Sequence, residues 1–441
     1  MAPALWDELY HTGARPQLDK APELQQLVDY HHDAVVHSMA RGDDWGNVTG
    51  FSDGTTEGGR FGMNRLNHCP PIFEEGYRSG DHRLIETAQL WCDNFYDQSI
   101  WWGEKERGGT RYNNIAASGK NPPDKRYMWR SNDSVHFCTK GYDSFFIAYE
   151  ETGDPRMMEA LVSQVAYAKD HVHTANGECR NIGDTRDFMR LFRYTADDQY
   201  RQQGMRLFRE LVPKLSPQAL FSQSGHPLEQ NEPFIEDDDF GYKHPFAKPY
   251  IIGYALAGLP ELATDYPDEP RLRETIRAVA DFLAASQDPL GGWRYPHPKS
   301  TSVLLSQALE HAWQIVQADK LLGPDDRHLD AIERVLQQRY HAWRLTGKTL
   351  SGLGGWEVTT GKVASSKELY SLYQKPSDRD SSRDYSEGSI SVGGSPPEGI
   401  VYFTEVLSYY LKHRPIERIT ALPEPNSPLG IVLTRIQGKK S

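Results

Sequence analysis

Residues 250–286 read YIIGYALAGLPELATDYPDEPRLRETIRAVADFLAAS, and the contrast between the two halves of this stretch decides the fold. In the first half Tyr250, Ile251, Ile252, Tyr254, Leu256, Leu259 and Leu262 leave no polar face, the pattern of a helix surrounded by protein. The second half keeps a single apolar stripe, Leu272, Ile276, Val279, Ala280 and Leu283, at the spacing of a helix with one solvated side. Between them Asp265-Tyr266-Pro267-Asp268 stops one helix and starts the next. The stretch therefore predicts an antiparallel hairpin with a buried inner helix and an amphipathic outer one.

The unit recurs along the chain. Ser79-Gly80-Asp81, Thr152-Gly153-Asp154-Pro155, Thr195-Ala196-Asp197-Asp198 and Gly323-Pro324-Asp325-Asp326 each join a stop residue to an Asp able to cap the next helix, or to a Pro suited to its first turn. Inner helices are predicted near 64–79, 132–151, 184–195, 248–263, 300–321 and 396–412, and outer helices near 22–40, 81–98, 155–173, 199–214, 269–287 and 328–345. The expected fold is all-α, an (α/α)6 toroid of inner and outer antiparallel helix hairpins. It becomes (α/α)7 if the N-terminal region or a long loop holds one more hairpin. A single domain is expected over 1–441, with the toroid at about 20–415 and a C-terminal tail at 416–441.

Composition sets the outer limits. At 38% hydrophobic and 25% charged, the chain can build a core and does not read as a membrane protein. No run approaches the roughly 18 apolar residues that a spanning helix needs. The net charge of −12 disfavours nucleic acid or an anionic membrane as partner, while leaving room for a local basic rim. Cys69, Cys92, Cys138 and Cys179 are widely spaced and contain no C-x-x-C pair, so they read as buried thiols. Met1 to Leu18 lacks a basic start followed by an apolar run and carries no secretory signal. The compartment stays open between cytoplasmic and, if a leader has been removed, periplasmic or secreted, and the oligomeric state is open as well.

Loop lengths point to function. Inner-to-outer turns are tight, whereas the outer-to-inner connections 41–63, 99–131, 174–183, 215–247, 288–299 and 346–395 are mostly long. Long loops in a compact fold are usually functional, and these must gather where the inner helices begin. Helix N-termini favour anions there, and the loops add Arg111, Lys120, Lys125, Arg126, Arg130, Arg186, Lys243, Lys248, Arg294 and Lys299. Trp101, Trp102, Tyr112, Tyr127, Trp129, Trp293 and Trp356 supply flat rings of the kind that pack on sugar faces. Pro376 to Ser391 reads as a flexible excursion or lid.

His68, His136, His244, Tyr295 and His297 fall at the starts of inner helices or in the loops before them. Tyr, His, Asn and Arg together suit β-elimination from a uronic acid. A cation or amide neutralises the carboxylate, a His or Tyr removes the C5 proton, and a Tyr protonates the leaving glycosidic oxygen. That scheme needs no cofactor and no metal, and the His residues lack ligand spacing such as H-E-x-x-H. The competing reading is an inverting glycoside hydrolase with two carboxylates drawn from Glu57, Asp133, Glu236 to Asp239 or Glu398. A third is a glycan-binding toroid without turnover.

Asn67-His68, Asn113-Asn114, Trp129-Arg130-Ser131-Asn132-Asp133, Tyr242 to Tyr250 and Trp293-Arg294-Tyr295-Pro296-His297 resemble segments of α/α-toroid polysaccharide lyases. The closest resemblance is to polysaccharide lyase family 38, acting on glucuronan or alginate, or to the toroid part of exo-rhamnogalacturonan lyases. It implies a His/Tyr base and acid pair with an Asn or Arg neutralising the substrate carboxylate, and His244 and Tyr295 match those types. His136, His68, Asn132 and Arg186 are the expected further catalytic-site residues. Asn67, Asn113, Trp129, Arg130, Lys248, Tyr250, Trp293, Arg294 and His297 are the expected contacts to an acidic oligo- or polysaccharide. No run of alternating strands follows the helices, so the β-sandwich that accompanies many such lyases is not expected, and endo or exo action stays open.

Overall fold

The computed structural model describes residues 22–39, 73, 75–77, 79–104, 107–109, 142–171, 182–215, 249–294, 302–354, 385–392 and 402–438. Contacts divide the chain into two compact units. The first comprises 1–172, 194–196 and 396–408, and the second 173–193, 197–395 and 409–441.

The helices follow the predicted alternation. In chain order they are α1 (Pro22–Met39), α2 (His82–Ser99), α3 (Tyr142–Thr152), α4 (Pro155–His171), α5 (Asp184–Thr195), α6 (Asp198–Leu215), α7 (Pro249–Asp265) and α8 (Pro270–Ser286). After these come α9 (Ala308–Leu322), α10 (Asp326–Thr346), α11 (Phe403–His413), α12 (Glu417–Thr420) and α13 (Pro428–Gly438). The described positions of the expected inner helix 64–79, namely 73, 75–77 and 79, are helical.

One capping device sets most of the tight turns. Asp81, Asp154, Asp197 and Asp325 each accept a hydrogen bond from the backbone N–H two residues on, at 2.9–3.0 Å. Such a cap stabilises a helix start by about 1 kcal/mol. In three of the four turns that second residue is an arginine folding back on the same carboxylate, and Arg83 and Arg327 hold Asp81 and Asp325 down to a pKa of about 2. Two of the arginines also reach the preceding outer helix: Arg156 contacts Asp93 and Arg327 contacts Asp281, both at 2.8 Å. The fifth turn departs from the rule. Helix α8 is capped by Glu269 without a side-chain bond and relies on Pro270 at its first position.

In the first unit, α2, α3 and α4 pack together around Trp91, Phe95, Phe145, Phe146, Leu161 and Val165. Cys92, the one described cysteine, is a free buried thiol whose Sγ lies 3.6 Å from the Ser144 carbonyl.

In the second unit α5 runs parallel to α7. Thr185 lies against Gly258, Arg190 pairs with Glu261, and Arg193 reaches Glu261 and Asp265. On another side of α7, Gly253 receives Gln314 of α9. Backbone carbonyls demand glycine at 258, whereas at 253 the close neighbour is the Gln314 amide, which would have to shift. A methyl group at 258 would lie 2.1 Å from Thr185 Oγ1 and 2.6 Å from the Ile182 carbonyl oxygen, and one at 253 would lie 2.0 Å from Gln314 Oε1. Helix α8 packs against α7, α9 and α10, as its single apolar stripe requires.

To the mainly helical fold the structure adds a small sheet, and it corrects two boundaries. Trp293–Arg294 (β1), Val303–Leu304 (β2), Leu350–Leu353 (β3) and Ile390–Val392 (β4) form an antiparallel sheet in the order β1-β2-β3-β4. The inner helix expected from 300 starts at Ala308, because β-branched Val303 and its neighbour Leu304 pair as a strand. Residues 416–441 are not simply a tail: α13 buries Leu429, Val432 and Ile436 in one cluster with Leu290, Val303, Leu305, Leu350 and Leu353. Tyr385 joins that cluster, so the end of the expected excursion 376–391 is anchored, while 376–384 lie outside the described residues.

Candidate functional site

The first turn of α5 is the most unusual local feature. Asp184, Thr185, Arg186 and Asp187 are successive polar residues, yet they are 1%, 0%, 8% and 1% exposed. Turns at helix starts are normally wet, and burying charge there is costly unless the groups serve one another or a ligand. Arg186 Nε lies 3.7 Å from Asp187 Oδ1, which keeps the two charges partly compensated. The Thr185 hydroxyl donates to the Ile182 carbonyl at 2.7 Å and is pressed against Gly258, so the turn is fixed to α7.

Helix α9 begins in the same way. Glu310, His311 and Gln314 occupy its first turns and are buried. Burial drives the His311 pKa down to about 4, with the Gln314 hydrogen bond at 3.0 Å opposing, so the ring is neutral near pH 7. Since α7 lies between α5 and α9, the second unit carries two buried polar helix starts flanking one apolar inner helix.

The loop before β1 is equally ordered. Asp288 Oδ2 accepts from Arg294 Nε at 3.0 Å, and Asp288 Oδ1 accepts from Leu290 N at 3.0 Å and from the Tyr385 hydroxyl at 2.9 Å. Trp293, expected as a sugar platform, is a packing residue instead. It is 2% exposed, its indole N–H donates to the Leu283 carbonyl at 3.0 Å, and its ring meets His311 edge-on at 4.6 Å.

Of the other expected site residues, Arg186 and Arg294 are described and lie in the second unit. Tyr250 falls in the first turn of α7. His244, Tyr295, His136, His68, Asn132, Asn67, Asn113, Trp129, Arg130, Lys248 and His297 lie outside the described residues. In the first unit Trp101 is 39% exposed on a short reverse turn closed by the backbone bonds Trp101 to Gly109 and Gly108 to Trp101. Trp102 donates to the Tyr96 carbonyl and carries Arg107 over its ring at 5.0 Å.

Sequence reasoning missed Asp184, Asp187, Glu310 and Asp288. A signal was present for Glu310, a charge set among Ala308, Leu309, Ala312 and Ile315; Asp184 and Asp187 stand in a polar run with Thr185 and Arg186 that reads as an ordinary helix start. Asp288 had none, since its importance comes from Tyr385, 97 positions away. Among the described residues no three His, Cys, Asp or Glu side chains are grouped to hold a metal, and no helix is long and apolar enough to cross a membrane.

No protein-family model matches the chain, and no curated protein matches it. Solved structures do match. A possible member of the GH105 family from Salmonella enterica serovar Paratyphi A superposes with a TM-score of 0.50 at 14% identity, over 88% of this chain and 93% of that one. A possible GH105 member from Klebsiella pneumoniae gives 0.51 at 13% identity, over 89% and 93%. A further chain, named a polysaccharide lyase, aligns over 91% and 99% at 11% identity, with a TM-score of 0.45, too low to argue from. The first two establish the fold: the chain is mainly helical and has the α/α-toroid fold that its hairpin repeat predicts.

Proposed function

We propose that the chain is a carbohydrate-active enzyme that degrades a uronate-containing polysaccharide, working where the inner helices begin. The observation that carries this reading is the buried polar turn Asp184 to Asp187, with Arg186 only 8% exposed at a helix start. A guanidinium held out of water beside a helix N-terminus is suited to an anionic ligand, and a sugar carboxylate is such an anion. The fold shared with two possible GH105 members agrees with a glycan substrate.

The reaction we assign is β-elimination without a metal. His244 takes the C5 proton, and the electron pair forms the C4–C5 double bond as the C4–oxygen bond breaks. Tyr295 gives its proton to the leaving oxygen. Arg186 and Asn132 neutralise the carboxylate and so acidify the C5 proton, with His68 and His136 in support. Asn67, Asn113, Trp129, Arg130, Lys248, Tyr250, Arg294 and His297 bind the chain of sugars, whereas Trp293 holds β1 in place. A second reading, hydrolysis, draws on Asp184, Asp187 and Glu310, three buried carboxylates on the first turns of α5 and α9.

Incubation with glucuronan, alginate and pectic fragments separates the two. Elimination gives an ultraviolet-absorbing unsaturated uronate at each cut. Reducing ends without that absorbance assign hydrolysis and overturn the elimination.

A further inference from the structure

Trp101, in the first unit, sits on a rigid support and stays partly in water. It is 39% exposed and opens the reverse turn that Gly108 and Gly109 close, with the Nε1 side of its indole against Gly103. The neighbours of Trp101 tie that turn to the helices. Gly108, at φ +89°, is pressed on α4 so closely that a methyl group there would lie 1.9 Å from the Ser163 carbonyl oxygen. The Trp102 indole N–H donates to the Tyr96 carbonyl at 2.8 Å, and the two rings meet at 4.5 Å. Arg107 lies over Trp102 and pairs with Glu159 of α4 at 2.7 Å, while the Tyr96 hydroxyl donates to the other oxygen of Glu159 at 2.8 Å.

Trp102, Arg107 and Gly108 therefore anchor the turn, and the exposed part of the Trp101 indole adds nothing to that anchoring. Apolar ring surface left in water forgoes the free energy of burial, and a ligand that covers it regains that energy. Since the backbone beneath is already fixed, binding pays little to order the platform. The surroundings select the ligand. Glu104 and Arg107 of the same turn are exposed, as is Glu159, with 49% of the Arg107 side chain and 45% of the Glu159 side chain in water. A protein partner suits a broader apolar patch. A pyranose ring has an apolar face rimmed by hydroxyls, which fits a flat ring beside hydrogen-bonding side chains.

We propose that Trp101 is a sugar-binding platform of the first unit, on which a pyranose ring of the polysaccharide stacks. The inference rests on the reading of the chain as a polysaccharide-degrading enzyme. It adds a binding residue that takes no part in bond cleavage, since Asp184 to Asp187 and Glu310 belong to the second unit.

Affinity gel electrophoresis of the full chain tests it, with glucuronan, alginate, polygalacturonate or neutral xylan cast in the gel. Trp101→Ala should weaken retardation by whichever polymer retards the wild type, the dissociation constant rising roughly three- to ten-fold, the scale of one aromatic contact. Trp101→Phe keeps a ring and should recover most of the affinity, which separates stacking from a folding defect. On a polymer that the wild type cleaves, kcat of both variants should stay within about two-fold of wild type. Wild-type retardation of Trp101→Ala, a Trp101→Phe as weak as Trp101→Ala, a loss of kcat, or a wild type retarded by none of the polymers overturns the inference. Retardation by xylan alone, lost in Trp101→Ala, upholds the platform and contradicts the uronate reading, so the two failures are told apart.

Discussion

His328 shows how much one residue's surroundings govern its chemistry. It is 1% exposed, with Nδ1 2.6 Å from Asp319 and Nε2 3.1 Å from Asp281. Burial opposes charge on the ring, but the two aspartates outweigh it and raise the pKa from 6.5 to about 9. The folded state therefore holds this proton more tightly than the unfolded state does. The stabilisation is complete below 6.5 and is lost as pH climbs through about 9. Comparing Tm for wild type and His328→Gln across pH should show a gap that is widest below about pH 6.5 and closes as pH climbs through about 9; a gap constant with pH contradicts the assignment. At the candidate site, Arg186→Gln removes the buried guanidinium that the functional proposal sets against the sugar carboxylate. Activity should fall on the order of 100-fold, the usual cost of one electrostatic donor, while the helical circular dichroism persists. Retained activity would remove Arg186 from the site.

Among the elements, the hairpins were the most legible feature. The stripe from Leu272 to Leu283 and the all-round apolar stretch from Tyr250 to Leu262 are local patterns, and each Asp cap lies within two residues of the N–H it satisfies. The sheet was not legible. Its strands are 2–4 residues long and pair across loops, so no periodicity marks them. Helix α13 was missed for the same reason: Leu429, Val432 and Ile436 gain meaning only beside Leu350 and Leu353. The close approach of α5 to α7 makes a sharper test. Gly258→Ala adds a methyl group 2.1 Å from Thr185 Oγ1 and 2.6 Å from a backbone carbonyl, which should cost about 1–3 kcal/mol despite alanine's better helix propensity. Gly204→Ala meets nothing closer than 3.4 Å and should be neutral or stabilising by up to about 1 kcal/mol. Urea midpoints decide, and equal effects at the two positions would refute the packing described for α7.

For the whole molecule, the toroid fold followed from counting hairpins, but the site did not follow from motifs. Arg186 and Arg294 are candidates named from loop and helix-start chemistry; that they pair with Asp187 and Asp288 was not legible, because burial of a carboxylate cannot be read from a single charged letter. Trp293 shows the converse: a loop tryptophan suits a sugar face or packing equally well, and its contacts to Leu283 and His311 are packing contacts. What unites these residues is the claim that the starts of the inner helices act on a uronate-bearing glycan. The most direct measurement is a time course of ultraviolet absorbance and reducing ends together, on glucuronan, alginate and pectic fragments. The account predicts that both signals rise in step on at least one of these polymers, and that neither rises with His244→Ala. Reducing ends released from neutral glycans alone, with no absorbance change on any polyuronate, would contradict it.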